Sequence, residues 1–130
     1  MPRERFLPDD PREWLGRARS NLAQARANTP EVYPEDLCFA AQQAAEKAIK
    51  AVMIRHGVRF PYIHDLAALL QLLRGSGLTI PDEVAEAVQL SRYAVLTRYP
   101  GDDRVDESDY RAALNIAEAV VQWAEGEVGR

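Results

Sequence analysis

An alanine-rich stretch in the first half of the chain, CFAAQQAAEKAIKAVMIRHG (residues 38–57), constrains the fold more than any other feature. Six alanines lie between positions 40 and 51, with larger apolar residues among them. Alanine is the best helix former, and its small side chain lets neighbouring helix backbones approach closely. A helix that is apolar around much of its circumference is buried on several sides. The stretch therefore predicts a central helix from about Pro34 to His56, ended by Gly57.

One further helix is predicted before this central helix in the sequence, and another directly after it. The first begins with Asp10 as its N-cap and Pro11 as its first residue, because both residue types favour those positions. The third helix is shorter and lies within HDLAALLQLLRGSG (residues 64–77), where leucines recur at helical spacing. Its expected end is Gly75.

The rest of the chain predicts a fourth and a fifth helix. The fourth starts at Pro81 and ends at Pro100, because the residue before a proline avoids helical geometry. The fifth runs from about Asp106, in a capping box completed by Asp109, to Glu125. The expected apolar stripe of the fourth helix consists of Val84, Val88, Ser91 and Val95, and is widened by Ala87, Leu90 and Ala94.

Five helices joined by mostly short connections predict an all-α fold, an antiparallel up-and-down bundle of four long helices plus a shorter one. The chain of 130 residues fits one domain with its own core, so residues 1–130 are expected to form a single unit. No repeat or low-complexity segment interrupts the helical pattern.

Composition and charge argue against several classes of function and structure. The net charge of −4 argues against a surface built mainly for duplex DNA, which normally carries a basic excess. The single cysteine, Cys38, excludes an internal disulfide and lies among apolar neighbours, as a small core residue would. No apolar run reaches the roughly 20 residues that span a bilayer, and no secretory signal precedes the first helix. The expected location is the cytoplasm, without membrane contact.

Three motifs, in their order and spacing, resemble the HEPN domain family (higher eukaryotes and prokaryotes nucleotide-binding). They are QQAAEKAIKA (residues 42–51), HDL (residues 64–66) and RYP (residues 98–100), and WLGRARSNLAQA (residues 14–25) extends the resemblance over nearly the whole chain. The resemblance implies a bundle of four long helices and a shorter one, often a homodimer. Small stand-alone prokaryotic members are frequently partners of a minimal nucleotidyltransferase in toxin–antitoxin-like pairs.

Some branches of this family are metal-independent ribonucleases with a loose R-x4-6-H signature, which Arg59 and His64 match. In that chemistry the two residues would activate a ribose hydroxyl and stabilise the phosphorane. Phe60 follows the arginine where the ribonuclease branch has a small polar residue, and Pro61 imposes an extended loop. We therefore expect Arg59 and His64 not to converge, and His64 to belong to the start of the third helix beside Asp65.

Two other sets of polar residues are candidates for binding. Arg98 and Tyr99 lie at the end of the predicted fourth helix, where they either bind a nucleotide or partner, or favour a helix C-terminus and pack over the bundle end. The polar side of the central helix is either a solvated face or the lining of a nucleotide groove or subunit interface. This polar ridge consists of Gln42, Gln43, Glu46, Lys47 and Lys50.

No cofactor or metal is predicted, because the sequence lacks phosphate-binding glycine loops and the spacing of zinc ligands. The leading interpretation is a non-enzymatic HEPN-type bundle. It is expected to be a homodimer and the partner of a minimal nucleotidyltransferase, with nucleotide or RNA binding. The alternative is a metal-independent endoribonuclease toxin that uses Arg59 and His64.

Overall fold

The computed structural model describes residues 4–96 and 104–129, and within these residues the chain forms helices and no strand. This confirms the predicted all-α helical bundle. The fourth helical segment is continuous but consists of three parts, with a 3-10 helix in the middle. In chain order the elements are α1 (Pro11–Ala25), α2 (Pro34–Arg55), α3 (Leu66–Gly75), α4 (Asp82–Ala85), the 3-10 helix η1 (Glu86–Arg92), α5 (Tyr93–Leu96) and α6 (Glu107–Val128).

Helix α2 is the centre of the bundle, as its alanine content predicts. It packs most extensively against α1 and α6 and also contacts α3, η1 and α5. The buried alanines let these neighbours approach the α2 backbone closely. The α2 residues without any exposed surface include Ala41, Ala44, Ala45, Ala48 and Ala51, together with Ile49, Val52 and Met53.

Local signals in the sequence determine where the helices begin. The Asp10 side chain accepts a hydrogen bond from the Arg12 backbone N–H at 2.9 Å, and Pro11 is the first residue of α1. Before α6, Asp106 and Asp109 form the predicted capping box, with reciprocal hydrogen bonds of 2.8 and 3.1 Å. Both contacts satisfy backbone N–H groups that the first turn of a helix leaves unpaired.

Glycines with positive φ follow two of the helices. Gly57, at φ +69°, ends α2 as predicted, and the next N–H bonds back to the Met53 carbonyl at 2.8 Å. Helix α3 ends at Gly75, as predicted, since Gly75 is its last helical residue. The left-handed position is Gly77, at φ +98°, where a side chain would be strained.

The fourth helical segment buries Val84, Ala87 and Leu90, as predicted, but not the rest of the predicted stripe. Val88 and Val95 are 41% and 65% exposed, so the prediction that they face the core is wrong. The reason is the 3-10 helix η1, which has three residues per turn instead of 3.6 and so places every third residue on one side. The buried stripe consists of Val84, Ala87, Leu90 and Tyr93. The predicted end at Pro100 lies outside the described residues.

Candidate functional site

A buried polar network runs along the α2 helix. Gln42, Glu46 and Lys50 are only 0%, 3% and 5% exposed, so this part of the polar ridge is not a solvated face. Their spacing of four residues places them on one side of the helix. The Glu46 carboxylate accepts hydrogen bonds from Gln42 Nε2 at 3.0 Å and from Lys50 Nζ at 3.1 Å. Gln43 extends the network, since its Nε2 donates to Gln42 Oε1 at 2.7 Å.

His64 joins this network from the loop before α3. Its Nδ1 lies 2.9 and 3.0 Å from the two carboxylate oxygens of Glu46. The helix start itself is capped by Asp65, whose side chain accepts from the backbone N–H groups of Ala67 and Ala68. The His64 side chain is 60% exposed, and its Nε2 makes no hydrogen bond with any described residue. The buried Glu46 carboxylate therefore orients the imidazole, while the imidazole remains accessible to solvent.

Two aromatic rings cover the buried ammonium group. Lys50 Nζ lies 5.2 Å from the ring centroid of Phe60 and 5.8 Å from that of Trp14. The two rings meet edge to face, with centroids 5.6 Å apart. Cation–π contacts of this kind contribute roughly 0.5–2 kcal/mol each. Sequence reasoning missed this role of Trp14 and Phe60, although an apolar ring within a proline-containing loop is a signal that the loop packs on the bundle.

The other candidate residues lie outside this network. Arg59 is exposed and makes no hydrogen bond or ion pair with any described residue. Lys47 is half-buried and donates to Asn21 Oδ1 on α1 at 2.7 Å. Burial, and next the nearby Arg17 guanidinium, lower the pKa of Lys47. Arg98 and Tyr99 fall outside the described residues.

Among the described residues, the network has the elements of acid–base chemistry but no unpaired cation that could stabilise an anion. A carboxylate that holds Nδ1 of a histidine leaves Nε2 to accept or donate a proton, which is how such pairs act in enzymes. The positive charge of Lys50, however, is paired with Glu46. Within residues 4–96 and 104–129, no three His, Cys, Asp or Glu side chains are grouped as metal ligands. None of the helices described is long and apolar enough to cross a membrane.

Comparison with known proteins agrees with this architecture. The family model of the HEPN domain matches residues 11–127. The chain belongs to the HEPN domain family. Glu46 and His64, from two of the motifs that carried the resemblance, are in direct contact in this HEPN domain.

Two crystal structures are similar to this HEPN domain over nearly its whole length. TT1696 from Thermus thermophilus is 30% identical, with a TM-score of 0.76, and the match covers 90% of this chain and 97% of that one. ST0689, described as an archaeal HEPN homologue, is 24% identical with a TM-score of 0.72 and shares the fold. That match covers 92% of this chain and 98% of ST0689. A search of curated proteins gives no significant match.

Proposed function

We propose that this HEPN-domain protein is a non-enzymatic binding protein, a cytoplasmic homodimer that pairs with a minimal nucleotidyltransferase and binds a nucleotide or RNA. The observation that carries this proposal is the neutralisation of the buried charges within the bundle. Glu46 is satisfied by Gln42, Lys50 and His64, while Arg59 lies outside the network. Buried polar networks that are fully hydrogen-bonded make a core rigid and specific, which suits a surface that must hold one shape for a partner.

Apolar side chains on the fourth helical segment support an interface with another protein subunit. Val88 and Val95 are exposed although both are large and apolar, and Leu72 of α3 is 41% exposed. We propose that these side chains form part of the surface that a partner subunit covers, since interfaces bury apolar surface patches. A second copy and a nucleotidyltransferase are the partners we propose.

The partner proposal is tested by co-expression with a nucleotidyltransferase encoded beside the gene. The expected result is co-purification of the two proteins, and a dimer of the isolated chain in size-exclusion chromatography with light scattering. Val88→Asp is expected to weaken assembly, while Gln122→Asp, at an exposed position on α6, serves as the matched control. A monomer at all concentrations that retains no transferase contradicts the proposal.

A second candidate function, a metal-independent endoribonuclease, is favoured by one observation. The Glu46 carboxylate orients His64 and leaves Nε2 accessible, as a general acid or base requires. In this case Arg59 would supply the charge that stabilises the phosphorane.

The two functions are separated by incubating the protein with single-stranded RNA in EDTA. The non-enzymatic proposal expects no cleavage. Cleavage that disappears in His64→Ala and Arg59→Ala, but persists in His56→Ala, would establish the nuclease instead. His56 is a suitable control because it is the other histidine of the chain and pairs with Glu127 rather than Glu46.

A further inference from the structure

A groove of about 720 Å³ runs along the exposed side of α1. Its lining on α1 extends from Arg12 to Ala23, a length of about 17 Å at the rise of an α-helix. Residues 4–6 and Lys47 of α2 complete the lining. This volume is within the range of roughly 300–1,000 Å³ that small-molecule sites occupy. The groove is separate from the Glu46 network, whose carboxylate, imidazole and buried ammonium do not line it.

The lining of the groove has more cationic than acidic side chains, although the whole chain carries a net charge of −4. Five cationic side chains line it and only two acidic ones, Glu4 and Glu13. A local excess of positive charge on an acidic protein is the electrostatic signature of a site for an anionic ligand. The cationic residues are Arg5, Arg12, Arg17, Arg19 and Lys47. The four arginines each form an ion pair, Arg5 and Arg17 with Glu13, Arg12 with Asp10 and Arg19 with Glu125, so Lys47 is the groove cation without a carboxylate partner among the described residues.

Lys47 is the cation in this groove that most needs an anion. Its hydrogen bond goes to the neutral Asn21, and no carboxylate of a described residue lies within ion-pair distance of it. Arg17, also in the groove, bonds Glu13 through Nε alone among the described residues, at 2.9 Å. The Arg17 side chain is 56% exposed. A half-buried ammonium group close to a second cation is unfavourable unless a negative charge binds between or beside them.

Gly16 leaves the α1 backbone open to solvent within the groove, as Gly126 does outside it on α6. Gly16 lies in the middle of α1 and lines the groove, and a Cβ atom placed there would meet nothing within 4 Å. A glycine inside a helix costs up to about 1 kcal/mol relative to alanine, and no packing within the described chain explains it. Glycine lets another molecule come close to the helix backbone.

We propose that this groove binds the phosphate groups of a nucleotide ligand, through Lys47 and Arg17, with Gly16 leaving room for the ligand against the α1 backbone. The inference rests on the nucleotide- or RNA-binding part of the proposed function, for which it names the site. The shared chemistry is phosphate, and its two sources are a free nucleotide and single-stranded RNA. Duplex nucleic acid is a poor fit because the lining on α1 is only about 17 Å long, too short for many phosphate contacts.

The test measures binding of a fluorescein-labelled oligouridine of about 12 nucleotides, within the usual site sizes for single strands, by fluorescence anisotropy. Unlabelled ATP, in EDTA, is the competitor that distinguishes a nucleotide site from an RNA site. Lys47→Met and Arg17→Gln are each expected to weaken binding at least about 5-fold at about 50 mM salt. The slope of log affinity against log salt is expected to fall by about 0.7 for each phosphate that the variant no longer neutralises. Arg74→Gln, an exposed arginine on α3, is the matched control with no expected effect.

A variant that is expected to stabilise the fold separates a loss of binding from a loss of folding. Gly16→Leu is expected to raise the midpoint of thermal unfolding by about 2–5 °C, because leucine is the better helix former, and to weaken binding by filling the groove. Gly126→Leu is the control, since Gly126 lies in α6, also with open space at the Cβ position and outside the groove. It is expected to leave binding unchanged.

The outcomes distinguish a failure of the groove proposal from a failure of the proposed nucleotide or RNA binding. RNA binding that is unchanged in Lys47→Met, Arg17→Gln and Gly16→Leu overturns the groove while leaving nucleic-acid binding in place. If the wild-type protein gives no anisotropy change with the labelled RNA and no shift of its melting temperature with ATP, the groove and the nucleotide part of the proposed function are overturned together. Co-purification of a transferase is measured separately. Displacement of the RNA by ATP, with both affinities reduced in the same variants, supports one phosphate site that accepts either source.

Discussion

Nδ1 of His64 lies 2.9 Å from Oε1 of Glu46, although the two residues are 18 positions apart in the chain. Glu46 is on the central helix α2, and His64 is directly before the cap of α3. The contact joins the exposed end of the 57–65 loop to a carboxylate that is only 3% exposed. It also gives the loop a definite position, because a carboxylate with three hydrogen-bonding partners has little freedom to move.

The buried pair of Glu46 and Lys50 is expected to respond strongly when one partner is removed. Glu46→Gln leaves the Lys50 ammonium charged and unpaired inside the protein, so the free energy of unfolding should fall by about 3–5 kcal/mol in urea denaturation. The double variant Glu46→Gln with Lys50→Met should recover most of this loss, because no buried charge remains. A double variant as unstable as the single one would contradict this account of the pair. Glu107→Gln, which removes an exposed partner of Arg111, should cost less than about 0.5 kcal/mol.

Acid should destabilise the protein partly through Glu13. Hydrogen bonds from Arg5, from the Phe6 backbone N–H and from Arg17 lower the pKa of the Glu13 carboxyl from 4.5 to about 2. Because the folded-state pKa is the lower one, the stabilisation is fully present above pH 4.5 and is lost as the pH falls towards about 2.

The measurement for Glu13 is the melting temperature as a function of pH. Glu13→Gln should lower the melting temperature at neutral pH and make it depend less on pH across this window. Glu83→Gln, an exposed carboxyl in α4, is the matched control and should follow the wild type. An unchanged pH dependence in Glu13→Gln would show that Arg5 and Arg17 do not stabilise this carboxylate in solution.

The 3-10 register of η1 predicts which apolar residues of the fourth segment hold the bundle together. Leu90 is 1% exposed, so Leu90→Ala should cost about 2–5 kcal/mol through reduced burial and a cavity. Val88 is 41% exposed, and Val88→Ala should change stability by no more than about 0.5 kcal/mol. The two variants are compared by urea denaturation at a protein concentration low enough for the chain to be monomeric. Equal losses would instead favour a regular α-helix with the stripe expected from the sequence.

The thiol of Cys38 should be unreactive in the folded protein. The residue is fully buried, and burial raises the pKa of the thiol to about 11, so the reactive thiolate is scarce at neutral pH. A chromogenic disulfide reagent should therefore react only after unfolding in urea, at a rate limited by opening of the bundle. The positive control is Ser108→Cys in a Cys38→Ala background, because position 108 is exposed on α6. Rapid reaction of the native wild-type protein would contradict the burial of Cys38.

The sequence by itself determined the helical class, the central position of α2 and most of the helix ends. Asp10, the Asp106–Asp109 pair and Gly57 act on backbone groups within a few residues, so their effect does not depend on distant parts of the chain. The alanine pattern of α2 is similarly local, since helix propensity and small size are properties of the segment itself. These features could therefore be predicted without coordinates.

Only the tertiary structure decided which polar side chains are buried and which of them contact each other. Lys47 and Lys50 are three residues apart, yet one lines the groove along α1 and the other is buried against Glu46 and two aromatic rings. The 3-10 register of η1 likewise departs from the 3.6-residue pattern that the sequence of the fourth segment predicts. The physical reason is that burial of a side chain depends on the elements packed over it, and these come from distant parts of the chain whose arrangement no local pattern encodes.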